Sequence, residues 1–100
     1  MLFKRNEKVV CVDGFSMSVQ AHDGAYCEPR IDNAERYTEV EVGFPSEREE
    51  LLMPYIEDES KPTGTVYAYV PASIVTLVIV KHGGMVSGEL PNGMPKLMKE

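Results

Sequence analysis

The chain has 100 residues, an ordinary apolar content and a formal charge of −6 at pH 7. This length predicts one domain with a modest core, and the composition argues against wholesale disorder. A net negative charge repels phosphates, so sequence-independent binding to DNA or RNA is disfavoured.

The chain carries no recognisable targeting or membrane segment. The N-terminus lacks the pattern of a secretory leader. The longest apolar run, Ile74 to Val80, covers seven residues, whereas a membrane span needs about twenty. We therefore expect a soluble cytoplasmic protein with reduced thiols, in which Cys11 is a core residue and Cys27 is more accessible.

The first structural signal is a β-hairpin. Two apolar runs, 8–12 and 15–21, flank Asp13-Gly14, a dipeptide typical of two-residue hairpin turns. That turn predicts that Val12 faces Phe15. The predicted core side carries Val10, Val12, Phe15, Met17 and Val19, and the other side carries Val9, Cys11, Ser16, Ser18 and Gln20.

A long irregular loop and a third strand follow. Three turn signals, Asp23-Gly24, Pro29 and Asp32-Asn33, predict an ordered loop over 22–36. Residues 37–43 then alternate with a period of two, as in a sheet with one solvated face. One side carries Thr38, Val40, Val42 and Phe44, and the other carries Tyr37, Glu39 and Glu41.

The second half of the domain begins with a short helix. Ser46 and Glu49 form a capping box, which predicts a helix that ends before Pro54. Residues 65–70 form the next strand, with Tyr67 and Tyr69 pointing outward.

The next segment is ambiguous by composition, and we favour a helix of about three turns over 71–82, because proline fits its start and glycine its end. The fold class is therefore α+β: a small antiparallel sheet of about four strands, one short helix and one longer helix packed on a face. Residues 1–84 are expected to form the domain and 85–100 a flexible tail.

No residue pattern identifies a reaction or a metal site. His22 and Cys27 lack the second ligand pair of a zinc module. A Cys–His nucleophile requires a geometry that sequence proximity does not provide. There is also no glycine-rich phosphate loop. We expect no catalytic residue, no metal and no cofactor.

Ligand binding has better support, because the region around 20–30 is rich in recognition side chains. Arg30 has a planar guanidinium suited to phosphate or carboxylate. Tyrosine rings can stack on a base, and amide side chains can bind polar edges. The candidate ligand-binding residues are Gln20, His22, Tyr26, Arg30, Tyr67 and Tyr69. The alternative is structural: the tyrosines cover the outer sheet face and Arg30 pairs with Glu28 or Asp32.

An acidic region suggests a different partner. Eight carboxylates and one Arg lie between positions 39 and 59. They could form a solvated face or a surface for a basic protein. The candidate partner-binding residues are Glu39, Glu41, Glu49, Glu50, Glu57, Asp58 and Glu59.

Several segments resemble small uncharacterised accessory proteins of tailed bacteriophages. They are Met17–Ala21, Tyr26–Arg30, Tyr37–Ser46, Pro62–Pro71 and His82–Gly84, within a resemblance that covers roughly 8 to 84. It implies a phage origin and the host cytoplasm as the site of action, since such proteins often disarm host defence. It carries no activity that transfers to this chain.

Three hypotheses follow. In the first, which we favour, the protein is a non-enzymatic homo-oligomer that binds and sequesters a host nucleotide signal, with Arg30 on phosphate and Tyr26 or Tyr67 on the base. In the second, the acidic surface inhibits a basic host defence enzyme. In the third, the chain is a minor virion or assembly component.

Overall fold

A computed structural model describes residues 5–98, so the outermost parts of the expected domain and tail lie outside the described residues. The fold is α+β, as predicted. A five-stranded antiparallel sheet has the order β4-β3-β2-β1-β5. The strands are β1 (Val9–Cys11), β2 (Ser16–Gln20), β3 (Glu39–Gly43), β4 (Val66–Pro71) and β5 (Met85–Ser87).

The hairpin between β1 and β2 forms, but the predicted register was wrong by one residue. Val9 pairs with Met17, and the Cys11 N–H donates to the Phe15 carbonyl. The loop therefore has three residues and ends at Gly14, whose φ of 94° is typical of a hairpin bulge. A one-residue slip exchanges the two faces of a strand. Val9 and Cys11 are accordingly buried and Val12 is exposed.

Strands β3 and β4 are joined through a β-bulge that changes the predicted orientation of two tyrosines. Val42 pairs with Tyr67 and Val40 with Val70, so two residues of β4 lie opposite Glu41 alone. Tyr67 consequently points into the core and is fully buried. The outward orientation predicted for Tyr67 was wrong.

Helix α1 spans Ala72–Lys81 and packs on the core face of the sheet. Pro71 precedes its first turn and His82 is its C-cap, which confirms the helical interpretation of this apolar segment. Val75, Val78 and Ile79 are buried between helix and sheet. Since all three are fully inaccessible, each contributes about 1.5–3 kcal/mol of apolar burial.

The short helix predicted from the capping box is absent as an α-helix. Residues 46–52 form turns, and a 3₁₀ helix follows at Met53–Tyr55. The Ser46 hydroxyl accepts the Ser16 N–H at 2.9 Å instead of capping a helix. The Glu49 side chain turns inward to groups distant in sequence. Tertiary hydrogen bonds therefore replace the local ones on which the prediction relied.

Residues 85–98 belong to the fold. They contribute β5 to the sheet, and the Met85 N–H donates to the Leu97 carbonyl. Leu90 and Met94 are buried in the core cluster. The expected boundary at residue 84 therefore does not separate the domain from a tail, because three apolar side chains beyond it, those of Met85, Leu90 and Met94, are buried in the core.

Candidate functional site

The loop over 22–36 folds against β3 and β4 at the bulge. The Tyr26 N–H donates to a carboxylate oxygen of Glu41 at 3.0 Å. The Tyr26 carbonyl accepts the Tyr69 N–H, also at 3.0 Å. The bulge makes the second bond possible, because it frees the Tyr69 amide from the ladder. Two backbone bonds thus fix Tyr26 beside Tyr69.

Three of the predicted ligand-binding side chains come together here, and we call Tyr26, Arg30 and Tyr69 the tyrosine–arginine surface. The ring centroids of Tyr26 and Tyr69 lie 5.9 Å apart, with planes tilted by 42°. The Arg30 guanidinium carbon lies 5.4 Å from the Tyr26 centroid, within the range of a cation–π contact. All three residues are exposed.

Arg30 makes no ion pair or hydrogen bond with the other residues that the structure describes. The alternative in which Arg30 pairs with Glu28 or Asp32 is therefore not formed. A guanidinium with five N–H donors and only a ring contact retains its capacity to bind an anion.

Tyr69 has an unusual backbone conformation, with φ at 52°. A bulky residue seldom adopts this left-handed region, and such strain of about 1–3 kcal/mol often accompanies functional surfaces. The bulge and the Tyr26 hydrogen bond hold the residue in place. Its ring therefore points to solvent beside the loop.

The structure does not bring Gln20 or Tyr67 to this surface. Gln20 is buried, and its amide bonds the backbone of Asn6 and the hydroxyl of Ser18, which ties the N-terminal segment to β2. The Tyr67 hydroxyl donates to the Pro62 carbonyl at 2.5 Å. Both side chains are committed to internal hydrogen bonds, so neither can contact a ligand at the surface.

His22 is half-buried and lies with two carboxylates. One ligand atom from each of His22, Asp23 and Asp32 falls within 4.8 Å of the others. However, His22 Nδ1 accepts the Gly24 N–H at 3.0 Å. In a neutral ring the other nitrogen then carries the proton, whereas a metal-bound imidazole usually donates its second N–H. This hydrogen bond opposes metal ligation through the other nitrogen.

Both thiols are buried and free, so the accessibility expected for Cys27 was wrong. Its sulfur lies 3.2 Å from the His22 carbonyl rather than against the imidazole. Burial raises the pKa of Cys27 and of Cys11 above the usual thiol value, which disfavours the reactive thiolate.

The candidate acidic residues differ in exposure and in their partners. Glu49 is buried, Glu41 bonds the Tyr26 amide, and Glu50 pairs with Arg48. Asp58 accepts from Ser60, while Glu57 and Glu59 are exposed and Glu39 is half-buried. A shallow depression of about 520 Å³ has Glu50 and Glu59 among its lining residues.

A buried polar network joins three segments that are distant in sequence. His82 Nδ1 lies 2.6 Å from a carboxylate oxygen of Asp13, and Nε2 lies 2.6 Å from one of Glu49. The second Glu49 oxygen accepts from Lys81 Nζ at 2.8 Å and from the Leu51 N–H at 2.9 Å. The imidazole stacks on Phe15 with centroids 4.1 Å apart. We call Asp13, His82, Glu49 and Lys81 the histidine network.

Two carboxylates around one imidazole favour its doubly protonated form, since both ring nitrogens then donate. Burial alone would lower the pKa of His82, but the hydrogen bonds and charges of Glu49 and Asp13 outweigh it and raise that pKa. Burial would raise the pKa of Glu49, yet the Lys81, Leu51 and His82 donors together lower it. The Phe15 N–H and His82 lower the pKa of Asp13.

Sequence reasoning missed this network. In the sequence, Asp13 has the pattern of a turn residue and Glu49 that of a helix cap, and both patterns involve only neighbouring residues. No local pattern connects positions 13, 49 and 82. The network holds the hairpin turn, the 46–52 turns and the end of α1 together.

No protein-family model matches the chain, and no curated protein or solved structure is significantly similar to it. Within residues 5–98, no helix has the length and apolar character needed to cross a membrane.

Proposed function

We propose that this chain is a non-enzymatic binding protein that takes a nucleotide-type ligand on the tyrosine–arginine surface. The observation that carries the proposal is the exposed pair of tyrosine rings beside a guanidinium that has no ion-pair partner among residues 5–98. Aromatic rings bind bases by stacking, and a guanidinium binds phosphate with two parallel hydrogen bonds.

The three side chains of this surface have different proposed roles in ligand binding. The Arg30 guanidinium lies over the ring of Tyr26, so the more accessible ring for a base is that of Tyr69. Arg30 then supplies the positive charge for a phosphate, and Tyr26 holds the guanidinium through the cation–π contact. This assignment replaces Tyr67 with Tyr69 as the stacking residue.

The biological setting is also a proposal. The resemblance to phage accessory proteins suggests that the ligand is a host defence signal and that binding sequesters it in the host cytoplasm. Sequestration needs affinity but no bond cleavage, which agrees with a surface that has a stacking ring and a cation but no activated nucleophile.

Calorimetric titration with a panel of cyclic and linear nucleotides tests the proposal. We expect one of these nucleotides to bind. Arg30→Ala should lower its affinity by about 10- to 100-fold, which corresponds to the loss of one hydrogen bond to a charged group. Tyr69→Gly removes the ring at a position where glycine is unstrained. It should lower affinity by a similar factor, since stacking contributes about 1–3 kcal/mol.

Arg36→Ala is the matched control, because Arg36 is another exposed arginine of the same loop. It should bind as the wild type does. An equal loss of nucleotide affinity in Arg30→Ala and Arg36→Ala would indicate a general effect of positive charge and contradict a specific contact between Arg30 and phosphate. Absence of heat across the panel would reject the nucleotide proposal.

The second candidate is a protein inhibitor with an acidic contact surface. The depression beside the 3₁₀ helix favours it, because Met53, Pro54 and Ile56 line it together with Glu59 and the Arg48–Glu50 ion pair, which leaves the Glu59 carboxylate in excess. A basic side chain with an apolar stem fits such a surface. Glu59→Lys should then weaken partner association and leave nucleotide binding unchanged.

A further inference from the structure

Helix α1 exposes two large apolar residues, Leu77 and Val80, together with Ser73 and Lys81 on the side that faces away from the core. Its ten residues contain one charged side chain, Lys81, at the C-terminal end. Leu77 and Val80, which lie three residues apart on one helix face, are 52% and 58% exposed. Large apolar side chains on a helix normally face the core, while polar and charged residues occupy the opposite face. This face of α1 therefore lacks a covering partner within residues 5–98.

The hairpin turn lies beside the C-terminal end of α1. The Gly83 N–H donates to the Val80 carbonyl, and a Cβ at Gly83 would lie 3.1 Å from that of Val12. Val12 is 48% exposed. We call Leu77, Val80 and Val12 the helix patch. Clustered exposed apolar side chains typically mark an interaction surface.

The two ends of the histidine network border the helix patch. Lys81 follows Val80 and Asp13 follows Val12 in the sequence. Their side chains are 51% and 48% exposed. One cation and one anion at the border give the patch a self-complementary charge pattern. A two-fold axis through the patch can bring Lys81 of each copy toward Asp13 of the other, as an isologous interface requires.

We propose that the helix patch is the interface of a homodimer. Two molecules with a charge of −6 repel each other over most of their surfaces. The helix face carries no carboxylate, so two copies meet there with the least repulsion. A basic partner, by contrast, would be attracted to the exposed carboxylates elsewhere. This proposal is independent of nucleotide binding.

Sedimentation equilibrium of the full chain tests the proposal. Stable protein–protein interfaces bury about 800 Å² of surface per partner. Three exposed side chains provide less than this, so we expect the dimer to be weak. We therefore expect a mass that rises from 11.2 kDa toward twice that value as concentration increases. Leu77→Glu would place two carboxylates against each other in the dimer, and the dissociation constant should rise at least about tenfold.

Ile31→Glu is the matched control, because Ile31 is 53% exposed and lies on the 22–36 loop outside the helix patch. It should dimerise as the wild type does. Leu77→Ser repeats the test without added charge, and circular dichroism establishes that each variant is folded. A wild type that remains at 11.2 kDa up to about 500 µM, a concentration at which even weak interfaces associate, overturns the proposal. So does a folded Leu77→Glu variant that dimerises normally.

Discussion

Replacing Glu49 with glutamine should destabilise the protein strongly, because this carboxylate is the centre of the histidine network. It is buried and accepts hydrogen bonds from His82, Lys81 and the Leu51 amide. Glutamine keeps the shape but turns one acceptor oxygen into a donor and removes the charge. Loss of one partner from a buried charged pair costs about 3–5 kcal/mol. With an m-value of about 1.5 kcal/mol/M, the urea midpoint should fall by about 2–3 M.

Urea unfolding followed by circular dichroism measures this effect, and Glu50→Gln is the matched control. Glu50 is the next carboxylate in the sequence, but it is exposed and pairs only with Arg48. Its loss should leave the urea midpoint close to that of the wild type, because exposed ion pairs contribute little to stability. Equal midpoints for Glu49→Gln and the wild type would refute the conclusion that the network stabilises the fold.

The loss of stability in Glu49→Gln should depend on pH, and the directions of the pKa shifts of Glu49 and His82 predict how. Glu49 has a pKa below its usual 4.5, so its stabilisation is present above that pH and is lost as the pH falls. His82 has a pKa above its usual 6.5, so its stabilisation is complete below 6.5 and is lost as the pH rises through the raised value. The effect of Glu49→Gln should therefore be largest between these two values and decline on the alkaline side.

Further predictions concern the register, a close contact and the thiols. Val9→Ala should cost more stability than Val10→Ala, because Val9 is fully buried and Val10 is not; the reverse order in urea unfolding would favour the two-residue turn. Gly88→Ala should unfold at a lower temperature than the wild type, since its Cβ would lie 2.5 Å from the Lys8 carbonyl oxygen at a φ of 115°. Cys11 and Cys27 should react with a thiol reagent only on unfolding, because burial raises both pKa values; rapid labelling of the folded protein would disprove their burial.

The sequence predicted the elements that depend on local patterns. The alternation of apolar and polar residues predicted correctly which side chains of β2 and of the centre of β3 face the core. The proline at the start of 71–82 and the glycines after it predicted helix α1. The hairpin also formed, but its register depends on whether Val12 belongs to the strand or to the loop. Asp-Gly is compatible with two- and three-residue loops, and the burial of Val9 decides between them.

The remaining features depend on contacts between distant residues. The bulge opposite Glu41 reverses the expected position of Tyr67, and no residue in 65–70 signals it. Glu49 has a favourable local role as a cap, yet His82 and Lys81 provide stronger partners 33 and 32 residues away. The candidate surface was anticipated in part, because Tyr26 and Arg30 are close in sequence. Their meeting with Tyr69 requires the loop to pack on the bulge.

The most direct test of the proposed function is mapping of amide chemical shifts during titration with the nucleotide that binds. We expect the largest changes in chemical shift at Tyr26, Arg30, Tyr69 and their immediate neighbours, with little change in α1. Changes centred on the 3₁₀ helix and Glu59, or on residues remote from Arg30, would contradict the assignment of ligand binding to the tyrosine–arginine surface.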